Sequence, residues 1–88
     1  MAETLNDKVV IVTGGAAGIG GGITRTLVAR GAKVVAVDIK EDAGAALEQE
    51  LGDDVCFLSG DVSKPETAAA AVDLAVNTYG ALNGVVNN

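Results

Sequence analysis

The chain has no histidine, no tryptophan, one cysteine, one proline and only two aromatic residues, Phe57 and Tyr79. Each shortage excludes something. Cys56 alone cannot close an intrachain disulfide, and without histidine neither a Cys/His zinc site nor a histidine base can be assembled, so no metal site is expected. The sequence reads as a protein of a reducing, cytoplasmic setting. Cations are scarce too: six Lys/Arg stand against twelve Asp/Glu, for a net charge of -6. Scattered as Lys8, Arg25, Arg30, Lys33, Lys40 and Lys64, they offer no basic stripe for a phosphate backbone, which argues against a nucleic-acid partner. The longest uncharged stretch, Val9 to Thr24, has sixteen residues, six of them glycine. That is short of the roughly 20 apolar residues a membrane span requires. The opening residues, Met1 to Asp7, are acidic and polar where a secretory signal would be basic and then apolar.

What is present is apolar and regularly spaced. Four β-branched runs, Lys8–Thr13, Lys33–Asp38, Val55–Ser59 and Leu82–Asn87, are continuous rather than alternating, as strands covered on both faces are. Helical segments lie between them. Ile19 to Arg30 places Ile19, Ile23 and Leu27 four apart, with Gly31 at the position of a C-terminal cap. Glu41 to Leu51 opens on two acids and spaces Ala43, Leu47 and Leu51 four apart, with Gly52 beyond. Ser63-Lys64-Pro65-Glu66 has the pattern of a capping box, and Ala69, Val72, Val76 and Tyr79 follow at helical steps before Gly80. Strands alternating with helices predict an α/β fold with a parallel sheet and right-handed crossovers, in one domain without linker or repeat. A chain of 88 residues buries only about 60% of its extended surface, a thin margin for stability.

The segment that carries chemistry is Thr13-Gly14-Gly15-Ala16-Ala17-Gly18-Ile19-Gly20, between the first strand and the first helix. Glycine permits positive φ and lets backbone N–H groups approach a phosphate, and the helix N-terminus behind it favours negative charge. The spacing is G-x-x-x-G-x-G, and the G-x-G-x-x-G fingerprint is absent. A tight turn without a ligand is the simpler alternative. Asp38 ends the second strand 18 positions after Gly20, close to the roughly 20-residue offset at which an acid reaches the adenosine ribose hydroxyls. A carboxylate there accepts two hydroxyl hydrogen bonds and repels a 2′-phosphate. With no Arg or Lys at Ala17 or Ile39, NAD is favoured over NADP. A solvated strand-end acid, or a cap for the helix at Glu41, is the alternative for Asp38.

These residues carry a family resemblance. The Thr13–Gly20 segment resembles the cofactor motif of the short-chain dehydrogenase/reductases. Asp61-Val62 is similar to their adenine-contacting pair, and Gly80-Ala81-Leu82-Asn83-Gly84-Val85-Val86-Asn87-Asn88 to their fourth-strand motif. The match runs from about Lys8 to Asn88. It implies a Rossmann-type doubly wound sheet in the strand order 3-2-1-4, of which residues 1–88 would be the N-terminal part. It also implies that Gly14, Ala17, Gly18 and Gly20 shape a pyrophosphate turn, with Ile19 beneath the nicotinamide end. Asp38 and Ile39 would hold the adenosine, Asp61 the adenine amino group, and Val62 would line the ring. Asn87 would tie the fourth strand to its neighbour and help position a ribose, and Asn88 completes the motif. The sequence departs from the family at two places. Gly21 and Gly22 follow the motif inside the first helix, each at roughly 1 kcal/mol against alanine, which predicts a helix that starts late or frays. Asn83 stands where the family usually has an acid.

The family's proton relay is a Tyr, a Lys four residues later, a Ser and a further Asn. It is not found here. Tyr79 has Asn83 at +4 and core spacing on its helix, which makes packing its expected role; Ser59 and Ser63 sit at a strand end and a helix start. No catalytic residue is expected within these residues, which alone should not transfer hydride. The first functional reading is thus the NAD-binding half of a dehydrogenase acting on an alcohol/ketone pair, as a homo-oligomer (dimer or tetramer) by family resemblance. A free-standing, non-catalytic nucleotide-binding or regulatory module is the second. A flavodoxin-like domain is third, because Gly14-Gly15 stands where it would carry an acidic cluster or a flavin loop.

Overall fold

Valine and isoleucine crowd the strands because both faces of a parallel sheet are covered, and side chains stiff at χ1 fit that pleated surface. A computed structural model describes residues 4–88. Along the chain lie β1 (Val9–Thr13), α1 (Gly18–Ala29), β2 (Lys33–Asp38), α2 (Glu41–Leu51), a single 3₁₀ turn (Gly52–Asp54), β3 (Val55–Ser59), α3 (Pro65–Tyr79) and β4 (Gly84–Val86). Met1–Glu3, part of the opening that lacks a secretory pattern, lie outside the described residues. All pairings are parallel in the order β3-β2-β1-β4, and Ile11 at the centre of β1 faces Val35 on one side and Val85 on the other. The order is the one the family resemblance implies.

Helices cover both faces. Val9, Ile11, Val35 and Val37 pack with Ala71 and Ala75 of α3, while Val12, Val34, Ala36 and Val55 pack with Leu47 of α2 and, partly buried, Ile23, Leu27 and Val28 of α1. The chain thus changes faces between β3 and β4. The strand order reverses between β1 and β4, the place where a sheet of this kind offers a ligand site beyond its carboxyl ends.

Helix α2 buries Leu47, with Leu51 packed beside it, on the stripe its apolar periodicity predicts, whereas α1 and α3 depart from theirs. On α1 the buried positions are Gly20, Gly21 and Thr24, while Ile19 is 78% exposed. On α3 they are Ala71 and Ala75, and Val72 and Val76 remain 41% and 47% exposed. On α1 and α3 these small residues let the helix backbone come down onto the sheet and the glycine loop, and Ile23 and Leu27 of α1 pack partly buried beside the contact. The glycines do not delay α1, which begins at Gly18 and runs through Gly20, Gly21 and Gly22. Gly31 follows its last turn at φ +99°.

The capping box is not formed. Helix α3 is capped at Lys64 without a side-chain hydrogen bond, and the Ser63 hydroxyl donates instead to Asp61 Oδ1 at 2.7 Å. Leu82, Asn83 and Asn87 fall outside β4. Asn83 clasps the start of β1: its backbone N–H donates to the Val9 carbonyl at 2.8 Å and its Oδ1 accepts the Val9 N–H at 2.8 Å. That position needs an acceptor and no charge, so an amide does there what an acid would do. On the edge strand β3, Glu48 Oε2 accepts the Phe57 N–H at 3.0 Å, which occupies a donor that an edge would otherwise present to another strand.

Among the described residues Thr24 is the one fully buried polar side chain, and its hydroxyl donates to the Gly15 carbonyl at 2.9 Å. This bond pins the glycine loop to α1. Thr24→Val keeps the shape and removes the donor, leaving a buried carbonyl unpaired at about 1–3 kcal/mol. In a domain of this size each kcal/mol lowers Tm by roughly 4–8 °C. Thermal unfolding followed by circular dichroism checks this, and an unchanged Tm contradicts it.

Candidate functional site

The loop after β1 folds as it does because two glycines take left-handed backbone, Gly14 at φ +63° and Gly18 at φ +57°. Gly14 N–H donates to the Val37 carbonyl at 2.7 Å, which draws the loop across the end of β2. Helix α1 then begins with no side-chain cap and no acid in its first turn. By contrast α2 opens on Glu41 and Asp42 and α3 carries Glu66. Among the described residues the first N–H groups of α1, on Gly18, Ile19 and Gly20, therefore meet no side-chain acceptor and stand at the positive end of the helix dipole. Such a turn can hold an anion.

Asp38 joins this turn to the end of β2. Its Oδ2 accepts the Ala16 N–H at 3.2 Å and its Oδ1 accepts the Lys40 N–H at 3.2 Å. The carboxylate is thus placed beside the glycine loop by two backbone donors. Asp38 and Asp61 share a cleft of about 220 Å³ with Gly14, Ile39 and Val62. Ile39 is 70% exposed there, an apolar side chain on the cleft wall. The Ser63 hydroxyl and backbone N–H hold the Asp61 carboxyl below the usual carboxylate range, the hydroxyl contributing most. Two acceptors flanked by apolar side chains can take a ring that carries an amino group and a sugar that carries hydroxyls.

Of the residues singled out in the sequence, Gly14, Asp38, Ile39, Asp61 and Val62 line this one cleft. Ala17, Gly18, Ile19 and Gly20 form the turn and first helical residues beside it. The two asparagines divide their work differently from what the resemblance implies. The tie from β4 to β1 belongs to Asn88, whose N–H donates to Thr13 Oγ1 at 3.1 Å and whose Nδ2 donates to the Gly14 carbonyl at 3.4 Å. Asn87 faces an apolar cavity of about 210 Å³ between the sheet and α3. Thr13 is part of the sequence motif without a role of its own there, yet its hydroxyl also donates to the Val86 carbonyl at 3.3 Å. The Ala16 amide likewise has no role of its own in the motif. Thr13 could have been found as a hydroxyl ending an otherwise apolar strand, whereas a backbone N–H leaves no mark in a sequence.

Tyr79 is a packing residue in this structure. It lies against the α3 face of the core, and its hydroxyl donates to the Asp53 carbonyl at 2.9 Å. Burial and the neighbouring Cys56 raise its pKa well above the usual phenol range. Among the described residues no group of His, Cys, Asp or Glu is arranged to hold a metal ion, and no helix is long and apolar enough to cross a membrane.

A parallel sheet in this order, with a glycine turn at its switch point and an acid ending β2, defines a Rossmann-type domain. The family model for short chain dehydrogenases matches residues 8–88, and the chain belongs to that family. It is 44% identical over 88 residues to a 3-alpha-(or 20-beta)-hydroxysteroid dehydrogenase of Mycobacterium tuberculosis, covering 100% of this chain and 34% of that protein. It is also 44% identical over 86 residues to tropinone reductase-like 1 of Erythroxylum coca, covering 98% of this chain and 32% of that protein. A crystal structure of a short-chain dehydrogenase/reductase from Brucella melitensis, described as glucose/ribitol dehydrogenase, superposes with a TM-score of 0.89 at 25% identity, covering 97% of this chain and 37% of that one. The chain thus spans about a third of the length of the relatives it matches.

Proposed function

We propose that this chain is the NAD-binding part of an oxidoreductase that moves hydride between NAD(H) and an alcohol/ketone pair. The observation that supports the reading is the hydrogen bond from the Ala16 amide to Asp38, which joins the carboxylate at the end of β2 to the glycine turn. In it, Gly14, Ala17, Gly18 and Gly20 hold the pyrophosphate on backbone N–H groups, and Ile19 supports the nicotinamide end. Asp38 accepts the adenosine ribose hydroxyls beside Ile39, Asp61 and Val62 receive the adenine, and Asn87 and Asn88 close the β4 side. The bound nicotinamide supplies the hydride acceptor or donor. The preference for NAD over NADP rests on the Asp38 carboxylate, because a 2′-phosphate beside it meets like charge.

The names of the relatives, a hydroxysteroid dehydrogenase and a tropinone reductase-like protein, support the alcohol/ketone class of a small-molecule substrate. Tyr79 has Asn83 and not Lys at +4, so the Tyr-x-x-x-Lys pair and its Ser are assigned to residues of the whole protein outside these 88. The proposal extends to a cytoplasmic homo-oligomer. Calorimetric titration of the purified protein with NAD and with NADP tests the cofactor part. Saturable binding of NAD with Kd of roughly micromolar order, and weaker binding of NADP, is the expected result; no binding of either, by a folded protein, overturns it.

A further inference from the structure

The two carboxylate oxygens of Asp61 are unequally used. Oδ1 accepts both the Ser63 N–H at 2.9 Å and the Ser63 hydroxyl at 2.7 Å, while Oδ2 has no protein donor among the described residues. The backbone turn does not need the hydroxyl, because the Lys64 N–H already donates to the Asp61 carbonyl at 3.0 Å and closes it. Nor does the hydroxyl cap α3, which starts from Lys64 without a side-chain bond. Among the described residues its one hydrogen-bond partner is the Asp61 carboxylate. A carboxylate rotates in a broad, roughly two-fold torsion, and two donors on one oxygen remove that freedom. The free oxygen belongs to a residue that lines the cleft with Asp38, Ile39 and Val62.

We propose that Ser63 is a positioning residue: by holding Oδ1 it presents Oδ2 as a fixed acceptor for an exocyclic amine, and so selects a 6-aminopurine over a 6-oxopurine in the bound dinucleotide. The inference rests on the dinucleotide reading of the cleft and adds to it the group that sets base preference. An oxygen kept ionised and acceptor-only attracts an amino group and repels a carbonyl oxygen at the same place. Asp61 supplies the acceptor; Ser63 fixes where it points.

The test compares NAD with nicotinamide hypoxanthine dinucleotide, which carries a carbonyl in place of the adenine amine, by calorimetric titration of the unsubstituted protein, Ser63→Ala, Ser63→Thr and Asp61→Ala. The unsubstituted protein should prefer NAD by about tenfold or more, the scale of one hydrogen bond to a charged group. Ser63→Ala should reduce that preference about three- to tenfold, because the backbone donor remains but the hydroxyl is lost. Ser63→Thr, which keeps a hydroxyl, should restore it, and Asp61→Ala should abolish it. Equal weakening of both dinucleotides in Ser63→Ala is what a purely structural role produces, and it overturns the proposal. If Asp61→Ala abolishes the preference and Ser63→Ala leaves it intact, the role of Ser63 fails while that of Asp61 stands. A preference unaffected by Asp61→Ala overturns the Asp61 reading and the Ser63 proposal together, as does failure of the unsubstituted protein to bind either dinucleotide.

Discussion

Alanine at Gly20 should destabilise the protein and abolish dinucleotide binding, while the same substitution at Gly22, two residues along the same helix, should stabilise it. A Cβ on Gly20 would lie 1.8 Å from the Gly14 carbonyl oxygen and 2.7 Å from Asn88 Nδ2. Backbone cannot yield as a flexible side chain does, so the loop must be displaced. Overpacking of this kind costs about 1–3 kcal/mol, and more where backbone has to move. Against it stands the gain of roughly 1 kcal/mol that alanine brings over glycine in a helix interior, too small to prevail. At Gly22 nothing beyond its chain neighbours and the adjacent helix backbone lies within 4 Å of the added Cβ, so only the helix gain of about 0.5–1 kcal/mol is felt. Thermal unfolding of the two variants should give Tm shifts of opposite sign, and NAD titration should detect binding in Gly22→Ala alone. Shifts of the same sign would show that the packing at the head of α1 is not as described.

Asp38→Ala should weaken NAD binding about 10- to 100-fold, since hydrogen bonds to a charged acceptor contribute roughly 1.5–3 kcal/mol each and their loss is partly offset by water. NADP binding should change less or improve. A 2′-phosphate carries nearly two negative charges, and at about 4 Å each unit pair interacts by roughly 1–4 kcal/mol between bulk water and a protein surface. Removing the carboxylate should therefore shift the NAD/NADP preference by about two orders of magnitude. The substitution also frees the Ala16 N–H that Asp38 holds at 3.2 Å, so Asp38→Asn, which retains an acceptor without the charge, is the companion. It should keep most of the stability and lose most of the discrimination. Parallel titrations with both dinucleotides measure the ratio, and a ratio unchanged in Asp38→Ala removes Asp38 from cofactor selection.

Much of the architecture was legible before any coordinate. Continuous β-branched runs such as Val9–Val12 and Val34–Val37 have the pattern of strands covered on both faces, and Gly31, Gly52 and Gly80 marked where helices stop. In the candidate site, Gly14, Gly18 and Gly20 were legible because left-handed backbone at the first two and a close approach to the loop at the third call for glycine. Asp38 was legible because the end of a strand fixes where its side chain emerges. The buried face of α2 was legible too, but those of α1 and α3 were not. Apolar periodicity weighs large side chains, but Gly20, Gly21, Ala71 and Ala75 make the contacts because they allow close approach, and smallness carries little signal beside Ile19 or Val76.

Local chemistry likewise had more than one outcome. Ser63 could cap α3 or bind Asp61, and both use one hydroxyl across a few residues; the turn closed by Lys64 N–H decided for Asp61. Asn87 and Asn88 are identical in type and adjacent in sequence. Which of them ties β4 to Thr13 and Gly14 depends on strand alternation and on how far β4 extends. The sequence by itself determined the alternation of strands and helices, the glycine turn and the acid at the end of β2, because each depends on intrinsic backbone freedom, hydrophobic period or position in an element. Only the tertiary structure decided which small residues seat the helices, which hydroxyl and amide hold the loop, and which oxygen of Asp61 is left free, because those outcomes depend on distances between segments far apart in the chain.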